Sequence, residues 1–568
     1  MIERRALLKG LVAVVALPML SGCSGQGDAD ATGGDEESFD TLLYRLETPR
    51  SIDPFDADTA GLAVASQLFD PLMRFNFTTG ELEPCAAESF EASEDAMQFT
   101  FTLHTGRTFE NKEQVDAASF KRAWERLIDP DSAAAQLYGA SPWAYLLTLV
   151  KGYDALAKGS SKSLAGATCP DATTLHVELS QPYADFPLLV SHPALSPVPA
   201  TAVEDAEAYH ARPLGNGVFS LSEAWDGKAD ISLTRNRGTS VASKSVEGSA
   251  SVASGMESPE PIEAARFVLE DDRATAYKQL EADNIDVAEV PVEQSEGAEK
   301  AFGPRVESLS LTEGSHLLGT ASLTTKYLVL NTAEPPFDSK EARQAFSLAI
   351  DREALCEKVY RGAHMPATSV VAPGIPLDGE RDWACASYDA DRAKQLLEPL
   401  YPADKDGNRK LTVQLAYSKG GAGAKLVEAI AEDWKAVGVS VKTEAIAWED
   451  LVRRYRTGDF SCGCTSWTPD VPALDGVLYP LFRSGVAAAG NYGRYENTEV
   501  DAALDEARGT VDVDARRACS SEAFLRIGED CPVIPLTVPV RTVATSDRVA
   551  ALAVDPRGWP CLAQTALG

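Results

Sequence analysis

Residues 411–441 read LTVQLAYSKGGAGAKLVEAIAEDWKAVGVSV, and two kinds of hydrophobic repeat follow each other in this stretch. Apolar residues fill every second position of 411–417, which is the period of a strand with one buried face. From 426 to 437 they recur at helical spacing, and Gly438 stands where a helix would end. Residues 439–441 alternate again. The stretch therefore predicts a β-α-β unit, and with it an α/β sheet in at least the C-terminal half of the chain.

The whole chain has 568 residues, which is too long for one hydrophobic core, so we expect two or three domains. Hydrophobic residues make up 44% and charged residues 24%, the balance of a soluble globular protein. The net charge of −33 argues against nucleic-acid binding, because such a field repels phosphate backbones. It fits either a surface that resists association or an acidic cleft that attracts cationic ligands.

The N-terminus has the pattern of an export signal. Arg4, Arg5 and Lys9 precede the apolar run 11–20, which is too short to cross a membrane as a helix. The run ends in the tetrapeptide LSGC, and this resembles the lipobox of bacterial lipoproteins, with Cys23 as the lipidated residue. The alternative is an ordinary signal peptide followed by a chance cysteine. The paired arginines fit twin-arginine export, and general secretion also remains open.

The chain after the lipobox predicts a tether and then a soluble body. Residues 1–22 would be removed as the signal peptide, and 23–38 would form a flexible linker. No residue of 24–37 is apolar and larger than alanine, so this segment cannot bury a core. Nothing later is long and apolar enough to predict a transmembrane helix. We therefore expect a protein lipid-anchored through Cys23 at the outer face of the cytoplasmic membrane, on the cell surface or the periplasmic side.

Short motifs follow one another in a fixed order over roughly residues 39–540. They are RF, GELEP and AESF within 74–90, FTFTLHTGRTF at 99–109, FKRAWER and DP within 120–130, PLGNGVF at 213–219, NID at 284–286, LNT, PPFD and RQAFSLAIDR within 330–352, NY, VD and EA within 491–507, and PVIPL at 532–536. In this order they resemble family 5 of the extracellular solute-binding lipoproteins of ABC transporters, which includes oligopeptide- and dipeptide-binding proteins.

The resemblance implies an α/β fold of two lobes that close on a ligand, a periplasmic-binding-protein-like clamp of type II. The hinge is expected near residues 320–326 and again near 531–536. The implied parts are a first lobe at 39–320, with an extra subdomain at about 70–200 and a serine-rich insertion at about 238–261, a second lobe at 321–530, and a C-terminal return to the first lobe at 531–568.

The same resemblance suggests ligand-binding residues. Trp467 and Asp470 lie in a motif whose aspartate pairs with the α-ammonium group of the ligand in peptide-binding members; Asp470 could instead be a turn residue. Trp448 stands where such proteins place a cleft tryptophan, although it could simply cover the sheet, and Tyr138 is expected on the opposite wall. The chain departs from the family pattern after Asp470, at 471–475.

Residues 463–466 carry a second expectation and a second departure. They are expected to lie extended and to offer backbone hydrogen bonds to a peptide. Peptide binders often have an arginine near the position of Cys464, so recognition of a ligand carboxylate is left open.

The family implies a binding protein that is not an enzyme, with no cofactor and no metal. Its partners would be a short peptide, an ABC permease and ATPase complex, and the membrane through Cys23, with the chain itself a monomer. Alternatives with the same fold are a non-peptide ligand (chelated nickel, haem, an oligosaccharide or an opine) and a sensing lipoprotein. A surface enzyme is a further class, but the chain has no Gly-x-Ser-x-Gly or His-Glu-x-x-His motif.

The cysteine count leaves the disulfide pattern open. Ten cysteines include Cys23, and the remaining nine are an odd number. An exported compartment permits disulfides, so at least one of the nine thiols is unpaired or pairs with another molecule.

Overall fold

The computed structural model describes residues 40–236, 260–486 and 490–568. The predicted signal peptide, Cys23 and the tether lie outside these ranges, as does the predicted serine-rich insertion up to residue 259.

The strands in the described ranges are numbered in chain order. They are β1 (Thr41–Leu46), β2 (Met73–Asn76), β3 (Glu81–Pro84), β4 (Ala87–Ala92), β5 (Gln98–Leu103), β6 (Ala167–Thr168), β7 (Thr174–Glu178), β8 (Phe219–Leu221), β9 (Ile231–Arg235), β10 (Ala264–Leu269), β11 (Val287–Glu289), β12 (Val306–Glu307), β13 (Leu317–Ala321), β14 (Thr325–Leu330), β15 (His364–Pro366), β16 (Thr412–Ser418), β17 (Ser440–Ile446), β18 (Cys462–Trp467), β19 (Val533–Thr545), β20 (Val549–Ala551) and β21 (Ala566–Leu567).

The helices are referred to by their bounds. The α-helices are Thr59–Leu68, Ala117–Ile128, Ala133–Tyr138, Tyr153–Ala157, Phe186–Leu189, Thr201–Glu204, Ala206–Ala211, Arg273–Glu281, Ser295–Phe302, Lys340–Leu348, Arg352–Tyr360, Ala390–Leu397, Gly423–Ala436, Trp448–Thr457, Asp475–Phe482, Thr498–Gly509 and Val513–Asp530. Short 3-10 helices cover Ala144–Leu147, Pro193–Leu195, Val292–Gln294, Ala384–Ala386 and Leu562–Gln564.

The β-α-β unit predicted from the hydrophobic repeats is present. β16 leads into the helix Gly423–Ala436, and β17 returns parallel to β16 in a continuous register. Gly438 ends the connection with φ at +87°, and a Cβ atom there would lie 2.3 Å from the carbonyl oxygen of Gly407. Only glycine fits both the left-handed backbone and this close approach, so the predicted stop signal has a steric cause.

β19 joins the two halves of the main sheet. Its first residues pair with β14, its middle residues with β15, and its last residues with β13 and β11. On one side of β19 the order is β14-β18-β16-β17, and on the other it is β11-β1-β10-β9-β8. The chain also passes between the halves at residues 322–324, between β13 and β14. Two neighbouring crossings therefore connect two sheet-based bodies.

The half of the sheet that contains β16–β18 is covered on both faces. Leu328 and Leu330 of β14 pack into a core that includes Trp434 from the helix Gly423–Ala436. Tyr327 and Val329 point to the opposite face and pack into a second core that includes Phe524 from the helix Val513–Asp530. This burial on both faces fixes the register of β14 and the direction of each of its side chains.

A four-stranded sheet, β4-β5-β7-β6, forms a separate layer within the first half of the chain. The helix Ala117–Ile128 belongs to the same part of the chain, and the Asp116 carboxylate caps it by accepting a 2.8 Å hydrogen bond from the Ser119 N–H. Arg126 of this helix donates to both carboxylate oxygens of Asp53, and both side chains are almost fully buried.

A candidate ligand-binding cleft

The carboxyl ends of three parallel strands meet at one end of the second sheet half. β16, β17 and β18 run in the same direction and end at Ser418, Ile446 and Trp467. Trp448 and Asp470 follow two of these ends by two and three residues. The crevice outside the carboxyl ends of parallel strands is where α/β sheets bind ligands. Trp448, Trp467 and Asp470, which are three of the ligand-binding residues predicted from sequence, thus lie at the same end of the sheet.

Asp470 lies in the loop after β18, and its side chain remains exposed. The Tyr145 hydroxyl, from the 3-10 helix Ala144–Leu147, interacts with its carboxylate. Surrounding protein removes part of the hydration of Asp470 and raises its pKa above the ordinary value, and the interaction with Tyr145 only partly opposes this rise. The result is an exposed, poorly hydrated carboxylate that a charged donor from a ligand can reach.

Trp467, another predicted ligand-binding residue, is half-buried. Its indole Nε1 donates a 2.8 Å hydrogen bond to the carbonyl of Gly476, and its ring packs beside the core that contains Phe524. The loop that carries Asp470 is thereby fastened at both ends. Its far end is held by Asp475, whose carboxylate accepts two hydrogen bonds from Arg508 at 2.7 and 2.8 Å.

Trp448 and Tyr138 are both accessible. Trp448 begins the helix Trp448–Thr457 and is 49% exposed, so its indole offers apolar area at the sheet edge. Tyr138 is 37% exposed, and its ring stacks on His210 with the centroids 3.8 Å apart. Tyr145, which the sequence analysis did not single out, is the tyrosine that interacts with Asp470, and the role of Tyr138 stays a prediction.

β18 is paired unequally along its two edges. All six residues pair with β14, but only Cys462 and Gly463 pair with β16. A Cβ atom at Gly463 would lie 2.2 Å from the Tyr455 hydroxyl oxygen, and that hydroxyl donates a 3.0 Å hydrogen bond to the Cys464 carbonyl. No strand in the described ranges pairs with the β16-facing edge of Thr465–Trp467. The segment is extended, as predicted, and has one edge that an additional strand can join.

Lys326 is a second poorly hydrated charge at this end of the sheet. Its cross-strand partners are Ser466 of β18 and Thr537 of β19. Burial lowers the pKa of Lys326, and no ion pair of its ammonium group is found among the residues described. An isolated lysine carries no sequence pattern, and it is the strand register that brings this one beside β18.

Thr537 and His364 are polar neighbours of Lys326. The His364 Nδ1 and the Thr537 Oγ1 share a hydrogen bond of 2.9 Å, and the Tyr360 ring stacks on His364 at 3.6 Å. Burial, with a contribution from Lys326, lowers the pKa of His364 to about 3, so the imidazole is neutral near pH 7. Among these three residues, Lys326 therefore supplies the positive charge, and His364 and Thr537 supply neutral hydrogen-bonding groups.

Comparison with known proteins places the chain among binding proteins. The family model described as bacterial extracellular solute-binding proteins, family 5 middle, matches residues 81–489. The dipeptide-binding protein DppE of Bacillus subtilis is 25% identical over 556 residues, which are 95% of this chain and 95% of that protein. Heme-binding protein A of Haemophilus influenzae is 25% identical over 571 residues, 97% of each chain.

A solved structure gives the same fold. The periplasmic murein tripeptide-binding protein MppA, in its unliganded open form, aligns with a TM-score of 0.76 and 23% identity over 92% of this chain and 95% of that one. The two-lobed α/β fold predicted from the motifs is confirmed by this match. None of the helices in the described ranges is long and apolar enough to cross a membrane.

Proposed function

Because the chain belongs to family 5 of the bacterial extracellular solute-binding proteins, we propose that it captures short peptides and delivers them to the permease of an ABC importer. The observation that carries the proposal is the Asp470 carboxylate, exposed and poorly hydrated at the carboxyl ends of the parallel strands. The protein binds its solute without transforming it, and it needs no cofactor.

The α-ammonium group of a peptide is the natural partner of Asp470. Its positive charge restores the stabilisation that the carboxylate loses through reduced hydration. A charge-assisted hydrogen bond is strong where water is scarce, and protein that closes over the bound ligand excludes still more water. The Tyr145 hydroxyl interacts with the same carboxylate and favours its ionised form, which is the form that binds an ammonium group.

The rest of a peptide finds matching groups beside Asp470. The free edge of Thr465–Trp467 offers backbone donors and acceptors, which recognise any sequence. Lys326, the cross-strand partner of Ser466, offers a positive charge to a carboxylate of the ligand, in a chain whose Cys464 replaces the arginine of many peptide binders. Trp448 contributes apolar area that accepts varied side chains. The site thus suits a zwitterionic, extended ligand.

Ligand capture would proceed by closure of the two lobes. The residues between β13 and β14 and the middle of β19 form the two chain crossings, and we place the hinge there. The first lobe would also contain the extra subdomain, and the second lobe would span about 321–530. Cys23 would hold the monomeric protein at the outer face of the membrane, beside the permease and the ATPases.

A non-peptide ligand is the second candidate, and the similarity to heme-binding protein A favours haem among such ligands. A thermal-shift screen separates the classes, because a ligand that binds only the folded protein stabilises it by about 2.7 kcal/mol at 100 times its Kd. The screen compares pools of di- to octapeptides with haem, a nickel chelate, oligosaccharides and opines.

A rise of the melting temperature with peptide pools, and with none of the other ligands, supports the proposal. A rise with haem, the chelate, a sugar or an opine and none with any peptide pool would overturn it. A sensing lipoprotein would also bind peptides, so peptide uptake is measured in cells with and without the chain. Uptake that does not depend on the chain would refute the role in transport.

A further inference from the structure

Cys385 and Cys531 form a buried dithiol on one face of the second sheet half. Their side chains are 5% and 0% exposed, and both pack in the core that contains Phe524. The Cys385 Sγ lies 3.5 Å from the Gly528 carbonyl oxygen, and the Cys531 Sγ lies 3.6 Å from that of Val533. Two thiols that are 146 positions apart in sequence therefore lie at the C-terminal end of the same helix, Val513–Asp530.

The segments that carry the two thiols are fixed against each other by packing. Trp383 lies on the last turns of the helix Val513–Asp530, with its ring centroid 5.5 Å from that of Phe524. A Cβ atom at Gly528 would lie 2.4 Å from this indole, so the close approach requires glycine. Cys531 ends the helix with φ at +49°, and β19 begins two residues later. Packing therefore holds the two cysteine-bearing segments against each other without help from a cross-link.

Two buried arginines flank the pair. Arg352 donates to the carbonyl of Ala386, next to Cys385, and Arg343 donates to the carbonyl of Asp530, next to Cys531. Neither guanidinium forms an ion pair with a carboxylate in the part of the chain that the structure describes. The positive charges of Arg352 and Arg343 lower the pKa of thiols beside them and so favour a thiolate within this pair.

We propose that Cys385 and Cys531 are a redox site that becomes a disulfide in the exported protein. The Cys385 thiolate attacks the disulfide of an exported oxidoreductase or of oxidised glutathione, and one thiolate leaves. Cys531 then gives up its proton and attacks the Cys385 sulfur, so that the S–S bond forms and the second thiolate leaves. Two thiols lose two protons and two electrons, and the oxidant is reduced to two thiols.

The bond would form during folding, before the segment Ala384–Ala386 closes over the helix. It would fasten the C-terminal end of the helix Val513–Asp530 and the start of β19 to the body of this sheet half. A cross-link that spans 146 residues restricts the unfolded chain strongly, and the gain in stability should be correspondingly large. It would use two of the nine cysteines that remain beside Cys23 and leave seven.

The test uses the full chain, purified from the cell surface with free thiols blocked under denaturing, non-reducing conditions. We expect a digest to contain the peptides of Cys385 and Cys531 joined, lighter by two hydrogens than their sum. Reductant should lower the melting temperature of the wild type by about 5 °C. It should leave that of Cys385→Ser unchanged. Cys519→Ser is the matched control, because Cys519 is a half-buried cysteine of the helix Val513–Asp530 and takes no part in the proposed bond. This variant should respond to reductant as the wild type does.

The digest of the wild type needs no variant, so the test stands even if Cys385→Ser fails to fold. Complete blocking of both thiols in the exported protein, and again after treatment with oxidised glutathione, would overturn the proposal. An equal response of the wild type and Cys385→Ser to reductant would do the same. Peptide binding plays no part in these readouts.

Discussion

Asp470→Asn removes the charge that is proposed to hold the peptide ammonium and keeps the size of the side chain. The bonds that hold the two ends of the loop after β18, from Trp467 to Gly476 and from Arg508 to Asp475, do not involve this side chain, so the loop should keep its conformation. The perturbation thus isolates one interaction, that between a carboxylate and an ammonium group.

The expected effect follows from the strength of that interaction. A hydrogen bond to a charged group contributes about 1.5–3 kcal/mol, and about 1.4 kcal/mol corresponds to a tenfold change in Kd. We expect Asp470→Asn to weaken binding of peptides with a free amino terminus by about 10- to 150-fold. Peptides with an acetylated amino terminus carry no ammonium group, and their Kd should change by less than about threefold.

The ligand-free variant should be at least as stable as the wild type. Partial loss of hydration raises the pKa of the exposed Asp470, so the fold favours the protonated carboxyl, and this stabilisation is lost as the pH rises through that raised pKa. At neutral pH the ionised group therefore works against folding, and an uncharged asparagine does not. A binding loss without a fall in melting temperature would show that the carboxylate is kept for its ligand.

Isothermal titration calorimetry with paired free and acetylated peptides is the assay. Glu449→Gln is the matched control, because it removes one exposed carboxylate beside Trp448, at the same sheet edge. It should leave both Kd values unchanged. Equal weakening of free and acetylated peptides by Asp470→Asn would refute the assignment of this aspartate.

Three further predictions concern the same lobes. Tyr145→Phe removes the hydroxyl whose interaction lowers the pKa of Asp470, so this pKa should rise further. Protonation of Asp470 weakens binding of free-amine peptides, so as the pH falls the variant should lose affinity at a higher pH than the wild type. Identical pH profiles from calorimetry would contradict this. Lys326→Met should weaken peptides that end in a free carboxylate by about 10- to 100-fold and spare amidated ones, and equal effects on the two would exclude carboxylate recognition. Asp53→Asn leaves the guanidinium of Arg126 buried without its partner and should lower the free energy of unfolding by about 3–5 kcal/mol; a urea midpoint like that of the wild type would show that the pair contributes little.

The parts that sequence predicts well depend on neighbouring residues. The alternation at 411–417 and the helical repeat at 426–437 specify the β-α-β unit, because each pattern belongs to a few consecutive turns or strand residues. Asp470 was proposed because it lies three residues after Trp467 in one contiguous motif that resembles that of the family, and its role stays a prediction. Its place at the carboxyl end of a parallel strand then followed from the fold.

The parts that sequence missed depend on distant pairing. Tyr145 lies in a 3-10 helix of four residues, too short to carry a periodic signal, and 325 positions before Asp470. Lys326 meets Ser466 and Thr537 only through the register of three strands, which is set by the packing of their buried residues. Local patterns give no access to such contacts.

Native mass spectrometry of the protein purified gently from its own cells tests the central claim most directly, since it identifies whatever occupies the cleft. The account predicts a mixture of short peptides with free amino termini, abundant on the wild type and on Glu449→Gln, and depleted on Asp470→Asn. A single non-peptide species, such as haem, a metal chelate, a sugar or an opine, held equally by the wild type and Asp470→Asn, would contradict it.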